Sequence, residues 1–187
     1  MSTLQIITCS TRPSRVGPHV AKWFSEKAEA HGKFELESID LAEVNLPLFD
    51  EPEMPRLRKY QNEHTKRWSA IVDRADAYVF VTPEYDFGAP PSLTNALIYL
   101  SREWECKPVG YVSYGGVSGG LRSVQMSKLT VTALKMMPLP ETVSIPFVAK
   151  SIKDGVFDPG DVHNRGVTAM LDELFRWAEA LKPLRAG

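Results

Sequence analysis

Hydrophobic positions recur along this chain with two different periods. Apolar runs of strand length fall at 4–9, 34–41, 77–81, 107–113 and 141–148. The second of these alternates apolar with polar residues, as a strand does. The third, Ala77-Tyr78-Val79-Phe80-Val81, is apolar throughout, the mark of a strand covered on both faces. Between the runs the period lengthens to that of a helix, over 18–31, 57–75, 92–103, 119–137 and 160–181. In the first helix Val20, Ala21, Phe24 and Ala28 share a face, and Pro18 sits in the first turn, where its missing N–H costs nothing. In the last, Met170, Leu171, Leu174, Trp177, Ala178 and Leu181 form the apolar stripe. The segment NLPLFDEPEMPR, 45–56, has neither period and reads as a lid-like excursion or an interface loop.

Strands alternating one by one with helices imply an α/β fold, a mostly parallel sheet with helices on both faces. Right-handed crossovers and a length of 187 residues point to a single domain over 1–187 with a doubly wound, flavodoxin-like, five-stranded parallel sheet of order 2-1-3-4-5. That order makes strands 1, 3 and 4 neighbours, so the loops after them meet where such sheets bind ligands.

Those three loops are chemically distinctive. The first, STRPSRVGP (10–18), offers hydroxyls from Ser10, Thr11 and Ser14, guanidinium groups from Arg12 and Arg15, and the N–H groups of a helix start. Together these suit a phosphate monoester. It matches neither G-x-G-x-x-G nor G-x-x-x-x-G-K-[ST]. The second, in VTPEYDFGAPPSLTNAL (81–97), is stiffened by Pro83, Pro90 and Pro91 and carries Glu84, Tyr85, Asp86 and Phe87; it can wall a flat ligand. The third, SYGGVSGG (113–120), holds four glycines, which let backbone approach a ring closely. One ligand fits all three, a phosphate joined to a planar heteroaromatic body, and FMN has that shape.

Charge and composition narrow the rest. The formal net charge is −1 and charged residues make up 24%, so neither a nucleic-acid surface nor an acidic-membrane surface is expected. No apolar stretch reaches membrane-spanning length, and the start lacks a signal segment, so a cytoplasmic protein is expected. Cys9 and Cys106 are far apart in sequence and the four histidines are scattered. Free thiols and no metal site are the expectation.

Two rival readings share these residues. Gly116-Val117-Ser118-Gly119-Gly120 fits G-x-S-x-G, with Asp158 or Asp161 and then His163 in the order of a hydrolase triad. The other rival is a flavin-binding electron carrier or redox sensor. A catalytic-rate oxidation of NADPH separates that from an enzyme.

STRPSRVGPHVAKW, TPEYDFGAPPSLTNAL, KPVGYVSYGGVSGGLRSV and LDELFRWAEALKPLRA together resemble the NADPH-dependent FMN reductase family, which includes quinone, azo-dye and chromate reductases. The resemblance implies an FMN-dependent NAD(P)H oxidoreductase that delivers two electrons to a small acceptor, with NADPH or NADH as hydride donor. It places Ser10, Arg12, Arg15, Val16 and Gly17 around the FMN phosphate, Pro83, Glu84 and Tyr85 beside the isoalloxazine, and Ser113, Gly115 and Gly116 at its pyrimidine edge. It assigns no catalytic side chain, since the cofactor carries the chemistry. It also implies a homodimer or tetramer with the flavin near the subunit boundary, with Phe87, Tyr99 and Trp104 as aromatic candidates there, although Tyr99 equally suits a core. Arg102 and Arg122 are candidates for the NADPH 2′-phosphate. Asp86 stands where the family usually has asparagine, which predicts a carboxylate near the flavin and a more negative potential. Cys9 stands where glycine is frequent.

Overall fold

In the computed structural model, which describes residues 1–185, five parallel strands form one sheet: β1 (Ser2–Thr8), β2 (Phe34–Asp40), β3 (Ala77–Pro83), β4 (Pro108–Tyr114) and β5 (Met137–Ile145). Their order is β2-β1-β3-β4-β5, as the pattern implied. The helices are α1 (Gly17–His31), α2 (Leu41–Val44), α3 (Glu63–Asp73), α4 (Pro91–Ile98), α5 (Leu121–Ala133) and α6 (Asp161–Leu181).

Two hydrophobic layers sandwich the sheet, and strand alternation assigns residues to each. Leu4, Ile6, Val79, Val81, Val112 and Tyr114 face α1 and α6, where Val20, Phe24, Met170 and Leu174 lie buried. Ile7, Tyr78, Phe80, Val109 and Tyr111 face α3, α4 and α5. The second layer is aromatic: Trp104 packs edge-on against Tyr78 at 4.9 Å and near Trp68 at 6.0 Å. Each indole N–H is satisfied, Trp68 by Ala96 O at 2.9 Å and Trp104 by Leu97 O at 3.1 Å, so burial leaves no orphan donor. Trp104 is therefore a core residue, 1% exposed, and not a surface aromatic; Tyr99, at 0%, is likewise inside.

Several boundaries differ from the periodic reading, for identifiable reasons. The helix expected over 57–75 begins only at Glu63, because Arg58 adopts a left-handed φ of 52° and the Glu51 carboxylate accepts the N–H groups of Gln61 and Asn62 at 2.8 and 3.0 Å. The helix expected to reach 103 stops at Ile98. Beyond it Glu103 turns inward, fully buried, to accept from Ser69 Oγ at 2.7 Å and Tyr60 Oη at 2.9 Å. The helix expected over 119–137 is confined to α5, since Gly119 and Gly120 both have positive φ and Lys135 does too. Strand β5 starts four residues early and accommodates Pro138 and Pro140, as an edge strand can. A small hairpin, β6 (Ile152–Lys153) with β7 (Val156–Phe157), was not expected. Its Asp154-Gly155 turn, φ 49° and 77°, is the usual two-residue hairpin signal. Segment 45–56 is a strap tied down over α4: Asn95 and Tyr99 both donate to Pro47 O, at 2.7 and 3.1 Å, and Tyr99 to Asp50 Oδ1 at 3.1 Å.

Candidate active site

The carboxyl ends of β1, β3 and β4 open into a cleft of about 210 Å³, lined by Arg12, Ser14, Arg15, Val16, Pro83, Glu84, Tyr85, Tyr114, Gly115 and Val148. Seven of the twelve residues expected at the cofactor are among them. Ser14 joins them as one of the first loop's hydroxyls, whereas Tyr114 and Val148 were not expected there. Tyr114 is the last residue of β4, and its inward side follows from strand alternation. Val148 arrives from the turn after β5, where the N–H groups of Phe147 and Val148 donate to Gly116 O and Gly115 O at 2.9 and 3.1 Å; no local pattern announces that contact.

The first loop combines open donors with a buried brace. Arg12 and Ser14 are exposed. The backbone N–H groups of Arg12, Ser14, Val16 and Gly17 have no acceptor among the described residues, and the last two open α1. Arg15 is differently placed. Its guanidinium donates twice to Asp40, at 2.5 and 2.7 Å, and to Ser10 O at 2.6 Å, and the Asp40 carboxylate holds it firmly protonated. It anchors the loop to the end of β2. Ser10, 1% exposed, sits beneath the loop and accepts from Tyr114 Oη at 3.1 Å. Gly17 lies against both: a Cβ there would stand 2.6 Å from Ser10 Oγ and 2.7 Å from Tyr114 Oη.

The second loop folds back as a tight turn. Tyr85 and Gly88 exchange both backbone hydrogen bonds, at 3.0 and 2.9 Å, and the two residues between them, Asp86 and Phe87, have φ of 47° and 69°. A bulky residue in the left-handed region is uncommon. Phe87 is 63% exposed and carries the Arg122 guanidinium 4.1 Å above its ring. Asp86 is exposed at the turn tip and does not line the cleft. Tyr85 does, with the Arg12 guanidinium 5.8 Å from its ring centre.

Glu84 joins the second loop to the third. Its side chain, 8% exposed, accepts from Ser118 Oγ at 2.8 Å, from Arg122 N at 3.0 Å and from Arg122 Nη1 at 2.8 Å. Burial alone would raise its pKa, but the hydrogen bonds from Ser118 and Arg122 outweigh it and hold the carboxyl below the ordinary glutamate value. Ser113 is fully buried and donates to Gly119 O at 2.8 Å, fixing the glycine loop from below. Gly116 is exposed, and a Cβ built on it would meet nothing within 4 Å, so this stretch of backbone faces open space. Ser118, with its hydroxyl on Glu84, is not paired with histidine: His163 Nδ1 contacts Pro159 O at 2.8 Å, at the start of α6. The hydrolase constellation is not assembled.

These groups fit FMN. Unengaged N–H donors, Arg12 and Ser14 suit the phosphate; Pro83, Tyr85, Val16 and Val148 supply apolar surface; and Gly115-Gly116 leaves room for a ring edge. Comparison with known proteins agrees. Residues 2–150 match the family model of the NADPH-dependent FMN reductases. The chain belongs to that family. It is 36% identical to an NAD(P)H-dependent FMN reductase of Nectria sp over 83% of each chain, and 38% identical to one of Schizosaccharomyces pombe, covering 82% of this chain and 78% of that one. Among solved structures, the FerB flavoenzyme NAD(P)H:(acceptor) oxidoreductase of Paracoccus denitrificans superposes with a TM-score of 0.73 at 21% identity, over 96% of this chain and 98% of that chain.

Arg102, considered for the NADPH 2′-phosphate, is far from this cleft: it lines a concavity at the opposite end of the sheet. Arg122 is at the cleft, committed to Glu84 and Phe87. Among the described residues no three His, Cys, Asp or Glu side chains gather as a metal site, and Cys9 and Cys106 are both free thiols.

Proposed function

We propose that the chain is an FMN-dependent NAD(P)H oxidoreductase whose cofactor lies across the carboxyl ends of β1, β3 and β4, and that it reduces small acceptors such as quinones, free flavins, azo compounds or metal oxyanions. One observation carries the placement: the three loops converge on a cleft with unengaged N–H donors and a free arginine at one end and aromatic and glycine surface at the other. Bound FMN supplies the hydride chemistry. The chain's own residues orient it. Arg12, Ser14 and the α1 N-terminus bind the phosphate, Arg15 and Asp40 hold that loop in place, and Glu84 sets the distance between the two loops that flank the ring. Tyr85 covers one side, and no side chain is required to transfer a proton.

The test is an absorption spectrum of protein incubated with FMN and freed of excess, then treated anaerobically with NADPH. A retained flavin band that bleaches is expected. A retained band untouched by NADPH overturns the reductase reading in favour of a carrier. Arg12→Ala should weaken FMN binding about tenfold, the loss of one charge-assisted hydrogen bond to phosphate.

The working unit we infer is a homodimer. Met126 and Leu129 on α5, Ile98 on α4 and Phe87 on the cleft loop are exposed apolar residues, and Met126 Sδ lies 3.9 Å from a Cβ built on Gly88, so helix and cleft loop form one surface. A second copy covering it places each flavin near the boundary. Sedimentation at micromolar concentration should give a dimer, and Leu129→Glu a monomer; a monomeric native chain overturns this. No described helix is long and apolar enough to cross a membrane, and with two free thiols we place the protein in the cytoplasm.

A further inference from the structure

At the amino ends of the strands lies a second concavity, about 680 Å³, larger than the cleft. Its walls are the residues that precede β3, β4 and β5 and the turn that follows α6. The sheet is parallel and its central strands are seven residues long, so roughly 20 Å of strand separates this concavity from the flavin loops. Nothing in the reductase chemistry uses it.

Its charge is unlike that of the chain. Of its ten charged lining residues seven are cationic and three anionic, whereas the whole protein carries a net charge of −1. Part of the positive charge is paired internally: Arg185 with Asp76 at 2.6 Å, Arg58 with Asp73 at 3.1 Å and Lys135 with Glu105 at 3.4 Å. Arg102 and Lys182 make no ion pair among the described residues. Lys107 is 5% exposed, and its ammonium donates to Val72 O and Asp73 O at 3.1 Å and to Tyr78 Oη at 3.3 Å, with no carboxylate partner. A desolvated ammonium held only by neutral acceptors lacks the counter-charge that buried cations normally have.

We propose that this concavity binds a small polyanion, a ligand with at least two neighbouring phosphate or carboxylate groups, whose charge complements Lys107, Arg102 and Lys182 together. A monoanion would meet one solvated cation at a time and gain little. Arg102 and Lys107 come from the connection after α4 and Lys182 from the turn after α6, so a ligand that reaches all three gains from each at once. An extended nucleic acid fits poorly, since the cations ring a hollow and do not form a stripe.

Cys106 makes the site measurable. It lines the concavity, is half-buried and free, while Cys9 is buried, so alkylation by iodoacetamide should report on this cavity alone. The experiment follows that alkylation by intact mass in FMN-saturated protein, with excess FMN occupying the cleft, against tripolyphosphate, citrate, and sodium chloride at matched ionic strength. Tripolyphosphate or citrate should slow the reaction at least tenfold and saturably, chloride should not, and the more protective of the two identifies phosphate or carboxylate as the recognised group. Arg102→Glu with Lys182→Glu, both exposed positions, should cost at least tenfold in polyanion affinity and leave FMN absorbance unchanged. Equal protection by chloride, no protection by either polyanion, or protection that survives both charge reversals overturns the proposal.

Discussion

The two ends of this sheet solve the problem of binding an anion in opposite ways. At the carboxyl end the donors are backbone N–H groups, the side-chain charges are few, and two of them, Glu84 and Arg15, are consumed in holding loops together. At the amino end the backbone is occupied by strand and helix termini, and the positive charge is carried by side chains on several elements. A site built from backbone is pre-organised and sensitive to steric change. One built from long side chains is sensitive to pH and salt.

The largest test of that contrast is at Lys107. Burial lowers its pKa to about 8, although Asp73 and Asp76 pull the other way. The unfolded value is near 10.4, so below pH 8 the folded state bears the full cost of a buried ammonium. Between about 8 and 10 the unfolded chain binds a proton that the folded chain has lost, and stability therefore rises with pH. Relative to Lys107→Met, the wild type should gain about 2 kcal/mol over that window, read from denaturant midpoints at pH 7.5, 8.5 and 9.5. The buried tyrosines, whose burial pushes them up, titrate alike in both proteins and cancel. A difference independent of pH would show that Lys107 is not a buried charge.

Gly17→Ala tests the other end. The added methyl would have to displace Ser10 Oγ or Tyr114 Oη, both on structured elements, at a cost of about 2 kcal/mol. Because those hydroxyls support the phosphate loop, FMN affinity should fall about thirtyfold by fluorescence titration, with little change in polyanion protection of Cys106. Equal losses at both ends would mean that the two sites are not independent.

How much of this was legible in the sequence divides along the same line. Backbone sites announce themselves: glycines, prolines and hydroxyls between a strand and a helix name the loops, and strand order says which loops meet. What those residues do once together is set by long-range partners. Arg15 was expected on the phosphate, but Asp40, 25 positions away, holds it. Glu84 was expected beside the ring, yet it faces Ser118 and Arg122. Asp86 is carried to a turn tip by a backbone bond between Tyr85 and Gly88. The charged end was invisible, because Arg102, Lys107 and Lys182 have no spacing rule and are assembled only by the sheet. The burial of Trp104 was equally hidden: its position just past the end of α4 looks like surface until Glu103 is drawn inward.

Glu84 gives a smaller effect. Glu84→Ala removes the carboxylate that links the two ring-flanking loops. Arg122 is 47% exposed and recovers water, so the loss should be modest, about 1.4 kcal/mol or tenfold in FMN affinity. Glu84→Gln, which still accepts from Ser118, should lose less. The wild-type advantage is present above the ordinary glutamate pKa and vanishes as the pH falls through the lowered folded value. It should be flat from pH 6 to 8, and an advantage that peaks within that range would assign Glu84 a proton-transfer role.

The smallest effect compares two left-handed residues, one at each end. Phe87, φ 69°, and Cys106, φ 57°, each carry the roughly 1–2 kcal/mol that a side chain costs in this region. Glycine would remove that cost and add back about 0.4–1 kcal/mol through the freer unfolded chain. At Phe87 the substitution also loses the Arg122 guanidinium stacked on its ring, about 0.5–1 kcal/mol at an exposed site, so in the monomeric Leu129→Glu background, where no second copy covers the ring, Phe87→Gly should be close to neutral in stability. Cys106 has no such contact to lose; its backbone N–H, bonded to Lys135 O at 3.0 Å, is unaffected by the change. Cys106→Gly should therefore stabilise by up to about 1 kcal/mol. If Phe87→Gly stabilised as much, the stacked arginine would contribute nothing, and the strained turn at the mouth of the cleft would need another reason to keep a phenylalanine.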